Sequence, residues 1–143
     1  MRVNFCILFF AFFFTNLLSA AENSYYLILK NNEVNVRYGP GFDYPIKYVY
    51  KKKNLPIKVI DKKENFRRII DFKKNSGWIH ISQLKKGKSF ILLKDQILFS
   101  KPILKISKGR LLFAKRCKKK WCDVKTEEYE GWITNDNLWG YIK

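Results

Sequence analysis

The sequence predicts an all-β chain built from two small β units in tandem. Three observations predict it. The apolar residues come in short runs rich in β-branched and aromatic side chains, separated by Lys, Asn, Asp or Gly. No window sustains the i, i+3, i+4, i+7 spacing of a helix for three turns. The whole order of runs then occurs a second time.

Before the first strand, Met1-Arg2 gives a short positive start, Phe5 to Leu18 is an apolar run, and Ser19-Ala20-Ala21 supplies the small residues of a cleavage site. The run is shorter than the about 17 to 25 apolar residues of a comfortable membrane span. Residues 1–21 read as a secretory signal cleaved near Ala21, with a retained N-terminal anchor as the alternative. Cys6 lies inside the apolar run rather than at its end, so it does not form a lipoprotein acceptor.

In the mature part, Tyr25 to Leu29 is the first strand, followed by a Lys30-Asn31-Asn32 turn and a strand from Val34 to Arg37. Val34 and Val36 alternate with polar neighbours, the period of a half-buried sheet. The chain then enters Tyr38-Gly39-Pro40-Gly41-Phe42-Asp43-Tyr44-Pro45. Pro40 fixes its own φ and keeps Gly39 extended, and Gly41 supplies a position free to take a positive φ. Strands follow at Ile46 to Tyr50, Leu55 to Ile60, Phe66 to Phe72 and Gly77 to Ile81.

The second pass repeats the first. Phe90 to Leu93 resembles Tyr26 to Leu29, and Gln96 to Phe99 resembles the Val34 strand. Pro102 stands where Pro40 did, followed by Ile103 to Ile106. Leu111 to Ala114 parallels Ile57 to Ile60, and Trp121 to Val124 parallels Phe66 to Ile69. The sharpest match is Gly77-Trp78-Ile79 against Gly131-Trp132-Ile133, each followed by Leu five residues after Ile, at Leu84 and Leu138. Domains at 22–85 and 89–143, joined by Lys85 to Lys88, are expected. Units this small bury little core alone, so the two should pack together.

The formal charge is +17, and the signal contributes Arg2 alone to it. Such a field attracts anionic surfaces. After an export signal, nucleic acid ranks behind envelope polymers and membrane as the partner. A composition drifting toward Lys, Ile, Asn and Phe accounts for the charge as readily as selection for a ligand. The lysine groups fall at expected turns and linkers, where solvated charge normally sits. Cys117 and Cys122 remain once the signal is removed, separated by a hairpin-length Lys118-Lys119-Lys120-Trp121. In an oxidising compartment they read as a disulfide, contributing about 2 kcal/mol in the chain-entropy view. With no second pair and no nearby His they do not complete a metal site.

The first unit resembles the bacterial Src-homology-3-like (SH3b) domain. The residues that carry the resemblance are Asn35-Val36-Arg37 with Gly39-Pro40-Gly41, the strand Leu55-Pro56-Ile57-Lys58-Val59, and Gly77-Trp78-Ile79-His80. The second resembles a variant in alphaproteobacterial exported proteins, through Cys117, Trp121-Cys122 and Leu138-Trp139-Gly140-Tyr141. It departs from the pattern at Pro102, which has no flanking glycines and no aromatic loop. The resemblance implies two small SH3-like β-barrels and a periplasmic binding or spacer module rather than an enzyme, with no cofactor. In wall-directed members the ligand is the peptide of peptidoglycan. Carried over, its groove is bordered by Tyr38, Phe42, Asp43 and Tyr44, with Trp78 or His80 on the facing strand end.

Each of these residues also has a bland reading. Trp78 and Trp132 are expected to fill or cap their barrels, with ligand contact as the alternative. Phe42 and Tyr44 cannot both be fully buried by so small a unit, which makes them the leading ligand contacts. Asp43 is placed to receive an ammonium from a peptide stem. His80 is the single histidine, and spacing assigns it no Ser, Asp or Cys partner. Glu127-Glu128-Tyr129-Glu130 reads as a solvated turn, not a catalytic carboxylate pair. An envelope partner protein, or adhesion to anionic surfaces through charge, stands as the rival to peptidoglycan.

Overall fold

A computed structural model of the chain describes residues 23–140. The expected signal peptide at residues 1–21 lies outside them. The architecture is all-β. Among the described residues no helix is long and apolar enough to cross a membrane.

The first copy comprises β1 (Tyr25–Leu29), β2 (Val34–Arg37), β3 (Ile46–Tyr50), β4 (Pro56–Lys63), β5 (Phe66–Ile70) and β6 (Ser76–His80). A 3₁₀ turn at Ile81–Gln83 leads into β7 (Leu84–Lys85). They form one sheet in the order β3-β2-β6-β5-β4-β1-β7. The sheet curls until its ends approach. The Asn35 N–H of β2 donates to Gln83 Oε1 at 3.0 Å, and the Lys30 N–H donates to the Gln83 carbonyl at 2.9 Å. Alternation dictates what points inward: Leu29, Val34, Val36, Leu55, Ile57, Val59, Ile69, Ile79 and Leu84 make the core.

The second copy has β8 (Ser89–Leu92), β9 (Gln96–Leu98), β10 (Leu104–Ile106), β11 (Leu111–Lys118), β12 (Trp121–Lys125), β13 (Glu130–Thr134) and β14 (Leu138–Gly140). Its order β13-β12-β11-β8-β14, with β10-β9 beside it, repeats the first copy's strand for strand. The β9–β10 hairpin joins the larger sheet through a bridge between Phe99 and Trp132, as β2 joins β6 through Arg37 and Trp78. Both long strands bulge at the same place, between Val59 and Asp61 and between Ala114 and Arg116. Phe90, Leu92, Leu98, Ile106, Leu112, Cys122, Val124, Ile133 and Leu138 fill this core.

These registers correct two correspondences by one residue. Leu29 faces Leu84 and Leu92 faces Leu138, so Leu92 rather than Leu93 matches Leu29. Leu27 pairs with Ile57 and Phe90 with Leu112, so Leu112 rather than Leu111 matches Ile57. A one-residue slip turns every side chain to the other face. Freed from the core of its own copy, Leu111 instead packs against the first core, and Ile91 is buried in it outright.

Strand ends also differ from expectation. β4 and β11 run on past their apolar residues to Lys63 and Lys118, because both arms of each hairpin keep pairing in solvent. β5 stops at Ile70, and Asp71 begins a turn in which its buried carboxylate accepts from the backbone N–H groups of Lys73 and Asn75, both at 2.9 Å. The Tyr50 hydroxyl donates to the same carboxylate at 3.0 Å.

The copies pack together along β1, β4, β8 and β14. Trp139 sets its ring edge-on to Tyr26 at 5.1 Å and lies 6.5 Å from Phe72, while Ser89 Oγ donates to the Asn54 carbonyl at 2.7 Å. The connection does not begin at Lys85, which pairs with Ile28 in β1. Gly87, within it, lies against Ile28, and a methyl group there would sit 2.8 Å from Ile28 Cγ1.

Candidate ligand-binding site

Arg37 ends β2 at a bulge and begins the site. The loop after it closes on itself. The Tyr38 N–H donates to the Pro45 carbonyl at 3.2 Å, Gly41 N–H to the Gly39 carbonyl at 3.0 Å, and Tyr44 N–H to the Gly41 carbonyl at 3.3 Å. The Arg37 guanidinium donates to the carbonyls of Phe42 at 3.2 Å and Tyr44 at 2.8 Å, and lies 5.4 Å from the centre of the Phe42 ring. One rigid cation thus holds both flanks of the loop tip.

Gly41 does not use its freedom to take a positive φ; the described glycines in that region are Gly109 and Gly140. Gly39 is needed for space, and Gly41 less so, since an added Cβ there would first meet the movable Asp43 carboxylate. The Tyr44 ring lies so close to Gly39 that an added Cβ would stand 2.7 Å from Tyr44 Cγ, and one on Gly41 would stand 3.3 Å from Tyr44 Cδ2. Tyr44 is therefore a clasp across the turn as well as a surface residue, 44 % exposed.

Phe42 is 64 % exposed and Tyr38 is 62 % exposed. Phe42 does not stand alone. Its ring is 4.9 Å from His80 and 5.2 Å from Phe66, and His80 is 5.1 Å from Phe66. Phe66 is buried and forms the floor. His80 Nδ1 accepts from the Ser82 backbone N–H at 3.3 Å and meets Ser82 Oγ at 2.7 Å, which leaves Nε2 to carry the proton of the neutral ring. The Lys47 ammonium lies 5.6 Å from the Tyr38 ring centre. The site presents aromatic faces bordered by cations, with the exposed Asp43 as its carboxylate.

Trp78 shares the His80 face of β6 and is paired in register with Arg37. It is half-buried and does not fill the barrel; Ile79, on the opposite face, does. Trp132 is likewise half-buried, with the Arg116 guanidinium 5.3 Å from its ring, and Ile133 is the core residue. The repeated glycine in Gly-Trp-Ile has a steric cause. A Cβ on Gly77 would come 3.0 Å from the Arg37 carbonyl, and one on Gly131 would come 2.6 Å from the Phe99 carbonyl.

The structure thus brings Phe42 against His80 with Phe66 beneath them, on a loop that also carries Tyr38, Asp43 and Tyr44; Trp78 is tied to the loop only through its pairing with Arg37, and Lys47 joins at Tyr38. Arg37 was legible only as part of a strand motif. Its position immediately before an aromatic loop was the available signal. In the second copy Phe99 stands where Arg37 does, Trp121 where Phe66 does and Thr134 where His80 does, as the strand pairings fix. Phe99 and Trp121 stack edge to face at 5.4 Å, and the connection there, residues 99–103, is too short to carry a latched loop. Cys117 and Cys122 oppose each other across β11 and β12 and are joined as a disulfide. Thr126 turns the acidic segment, its Oγ1 accepting from the Tyr129 N–H at 2.9 Å. No cluster of three or more His, Cys, Asp or Glu able to hold a metal occurs among the described residues.

The family model described as bacterial SH3 domain matches residues 30–86 and 100–140. No curated protein matches the chain. Among solved structures, NlpC2 from Trichomonas vaginalis aligns with a TM-score of 0.39 and 13 % identity, over 82 % of this chain and 48 % of that one. NlpC1 from the same organism aligns with a TM-score of 0.40 and 12 % identity, over 86 % and 48 %. The chain spans about half the length of each.

Proposed function

The chain belongs to the bacterial SH3 domain family, with two copies of the domain, and we propose that it is an exported, non-catalytic protein whose first copy binds a cell-envelope ligand. The peptide part of peptidoglycan is the ligand this reading favours, met in the periplasm. The observation that carries it is the Phe42 ring, held proud of the barrel by the Arg37 latch and backed by His80 and Phe66. An aromatic face fixed before binding loses little freedom on binding. Aromatic surface supports an extended peptide, and Asp43 offers an anion to a stem ammonium.

Co-sedimentation with purified sacculi at moderate salt tests the reading. The parent is expected to pellet and a Tyr38→Ala, Phe42→Ala double variant to stay in solution; equal retention of both removes the loop from the account. Tyr44 is left intact in this test because it holds the turn. The charge of +17 supports a second reading, adhesion to anionic envelope surfaces. That mode fades by about 0.5 M salt, where screening acts over a few Å, and ignores the aromatic substitutions.

A further inference from the structure

At the opposite end of β3 from the aromatic loop, a cleft of about 360 Å³ opens between the two copies. One wall is the β3–β4 connection, with Lys51, Lys52, Lys53 and Asn54; the other is the start of β11, with Arg110 and Phe113. Both walls are fixed by hydrogen bonds. The Asn54 N–H donates to the Leu29 carbonyl at 2.9 Å and the Asn54 carbonyl accepts from Ser89. On the facing side the Arg110 carbonyl accepts from the Leu92 N–H at 3.1 Å, the Gly109 N–H donates to the Leu92 carbonyl at 2.7 Å, and Asp95 receives the Lys108 N–H at 2.8 Å. Four cationic residues, Lys51, Lys52, Lys53 and Arg110, therefore line one concavity whose backbone walls are fixed.

Carboxylates answer only part of that charge. Lys51 is paired with Glu33, and Glu127 is the one carboxylate in the lining. Lys52, Lys53 and Arg110 make no ion pair among the described residues. Cations crowded into a cleft repel one another and focus a positive field there. With Glu127 set against the three unpaired cations, a singly charged anion compensates about half of what remains, whereas a phosphate monoester brings nearly two charges and three acceptor oxygens. The volume lies near the lower end of the roughly 300–1,000 Å³ of small-ligand sites. Phe113, half-buried in the wall, gives a ring-sized apolar surface beside the cations.

We propose that this inter-copy cleft is a binding site for a phosphate-bearing group of sugar-phosphate size, the phosphate among Lys52, Lys53 and Arg110 and the ring or glycerol part against Phe113. A soluble phosphorylated sugar and a phospholipid head group share this chemistry. The cleft has no residue in common with the aromatic loop, so its failure leaves the peptidoglycan reading untouched.

Amide shifts of the labelled protein are followed while ribose 5-phosphate is added, and separately phosphatidylglycerol vesicles. Saturable shifts at Asn54, Arg110 and Phe113 are expected with the sugar phosphate. A Lys53→Gln, Arg110→Gln double variant should weaken them at least about tenfold, a change of roughly 1.4 kcal/mol. A Lys62→Gln, Lys63→Gln double variant, equal in charge removed but outside the cleft, should bind as the parent does. Vesicles that shift the same amides with the same variant pattern assign the site to a head group; shifts with ribose 5-phosphate alone assign it to a soluble ligand. Absence of saturable cleft shifts up to about 10 mM sugar phosphate and with vesicles, or equal weakening in both double variants, overturns the proposal.

Discussion

The Arg37 guanidinium donates to the Tyr44 carbonyl at 2.8 Å, so the last residue of β2 fastens the far side of the loop that β2 feeds. Replacing Arg37 by Ala frees that carbonyl and the one on Phe42 together. We expect stability to fall by about 1–2 kcal/mol in urea unfolding, and sacculus retention to fall although Phe42 is still present. Lys at this position should recover part of the loss, since it keeps the charge without the fork. Unchanged retention in Arg37→Ala would separate the latch from binding.

Gly39 and Tyr44 should behave as one unit. Gly39→Ala drives a methyl group into the Tyr44 ring and should cost about 1–3 kcal/mol, as overpacking does. With Tyr44→Ala already made, the same glycine change should cost little. A double-mutant cycle that instead gives additive losses would place the ring elsewhere in solution.

Tyr50 links stability to alkaline pH. Burial first, then the Tyr48 hydroxyl and the Asp71 carboxylate, push its phenol far above the ordinary value of 10.0. Folding therefore favours the protonated ring. That contribution is whole below about pH 10 and is lost as pH climbs above it, because only the unfolded chain ionises there. Tyr50→Phe should lower stability by about 1–2 kcal/mol at pH 7 by stripping a partner from buried Asp71. It should also make the decline between pH 9 and 11 shallower. Parallel pH profiles for parent and variant would contradict this account.

Reduction of the disulfide should weaken the second copy modestly, by about 2 kcal/mol, because the loop it closes is short. Cys117→Ala is the variant to compare, since Cys122 is fully buried and a serine there would add a buried hydroxyl. A loss confined to resonances of β11 and β12, with the global midpoint unmoved, would show that the bridge holds only its hairpin.

Ile91 should give the copies a shared unfolding transition. It belongs to β8 yet is buried in the first core. Ile91→Ala should cost about 2–4 kcal/mol and lower both copies in one cooperative melt. Calorimetry resolving two independent transitions in the parent would refute that coupling.

Strand placement was legible because Val34, Val36, Ile57 and Ile69 carry their burial in simple alternation. The Gly-Trp-Ile repeat likewise announced the duplication, through a glycine that each copy needs where a neighbouring carbonyl crosses. The aromatic loop was legible as surface, since so small a unit cannot bury Phe42 and Tyr44 both. The division of labour between them was not, because Tyr44 covers glycines beside it while Phe42 reaches His80 and Phe66, far along the chain. Arg37, Ile91 and Leu111 were illegible for a related reason. Arg37 acts through side-chain bonds to loop carbonyls, and Ile91 and Leu111 through inter-copy contacts, none of which apolar periodicity encodes.

Gly87 lies pressed on Ile28, Trp139 spans Tyr26 and Phe72, and Ser89 is tied to Asn54. A connection of a few Lys and Gly residues would ordinarily act as a swivel. Here it is splinted, so the orientation of the first barrel also sets the compass bearing of the second. The Phe99 and Trp121 pair of the second barrel thus keeps a fixed bearing to the loop of the first.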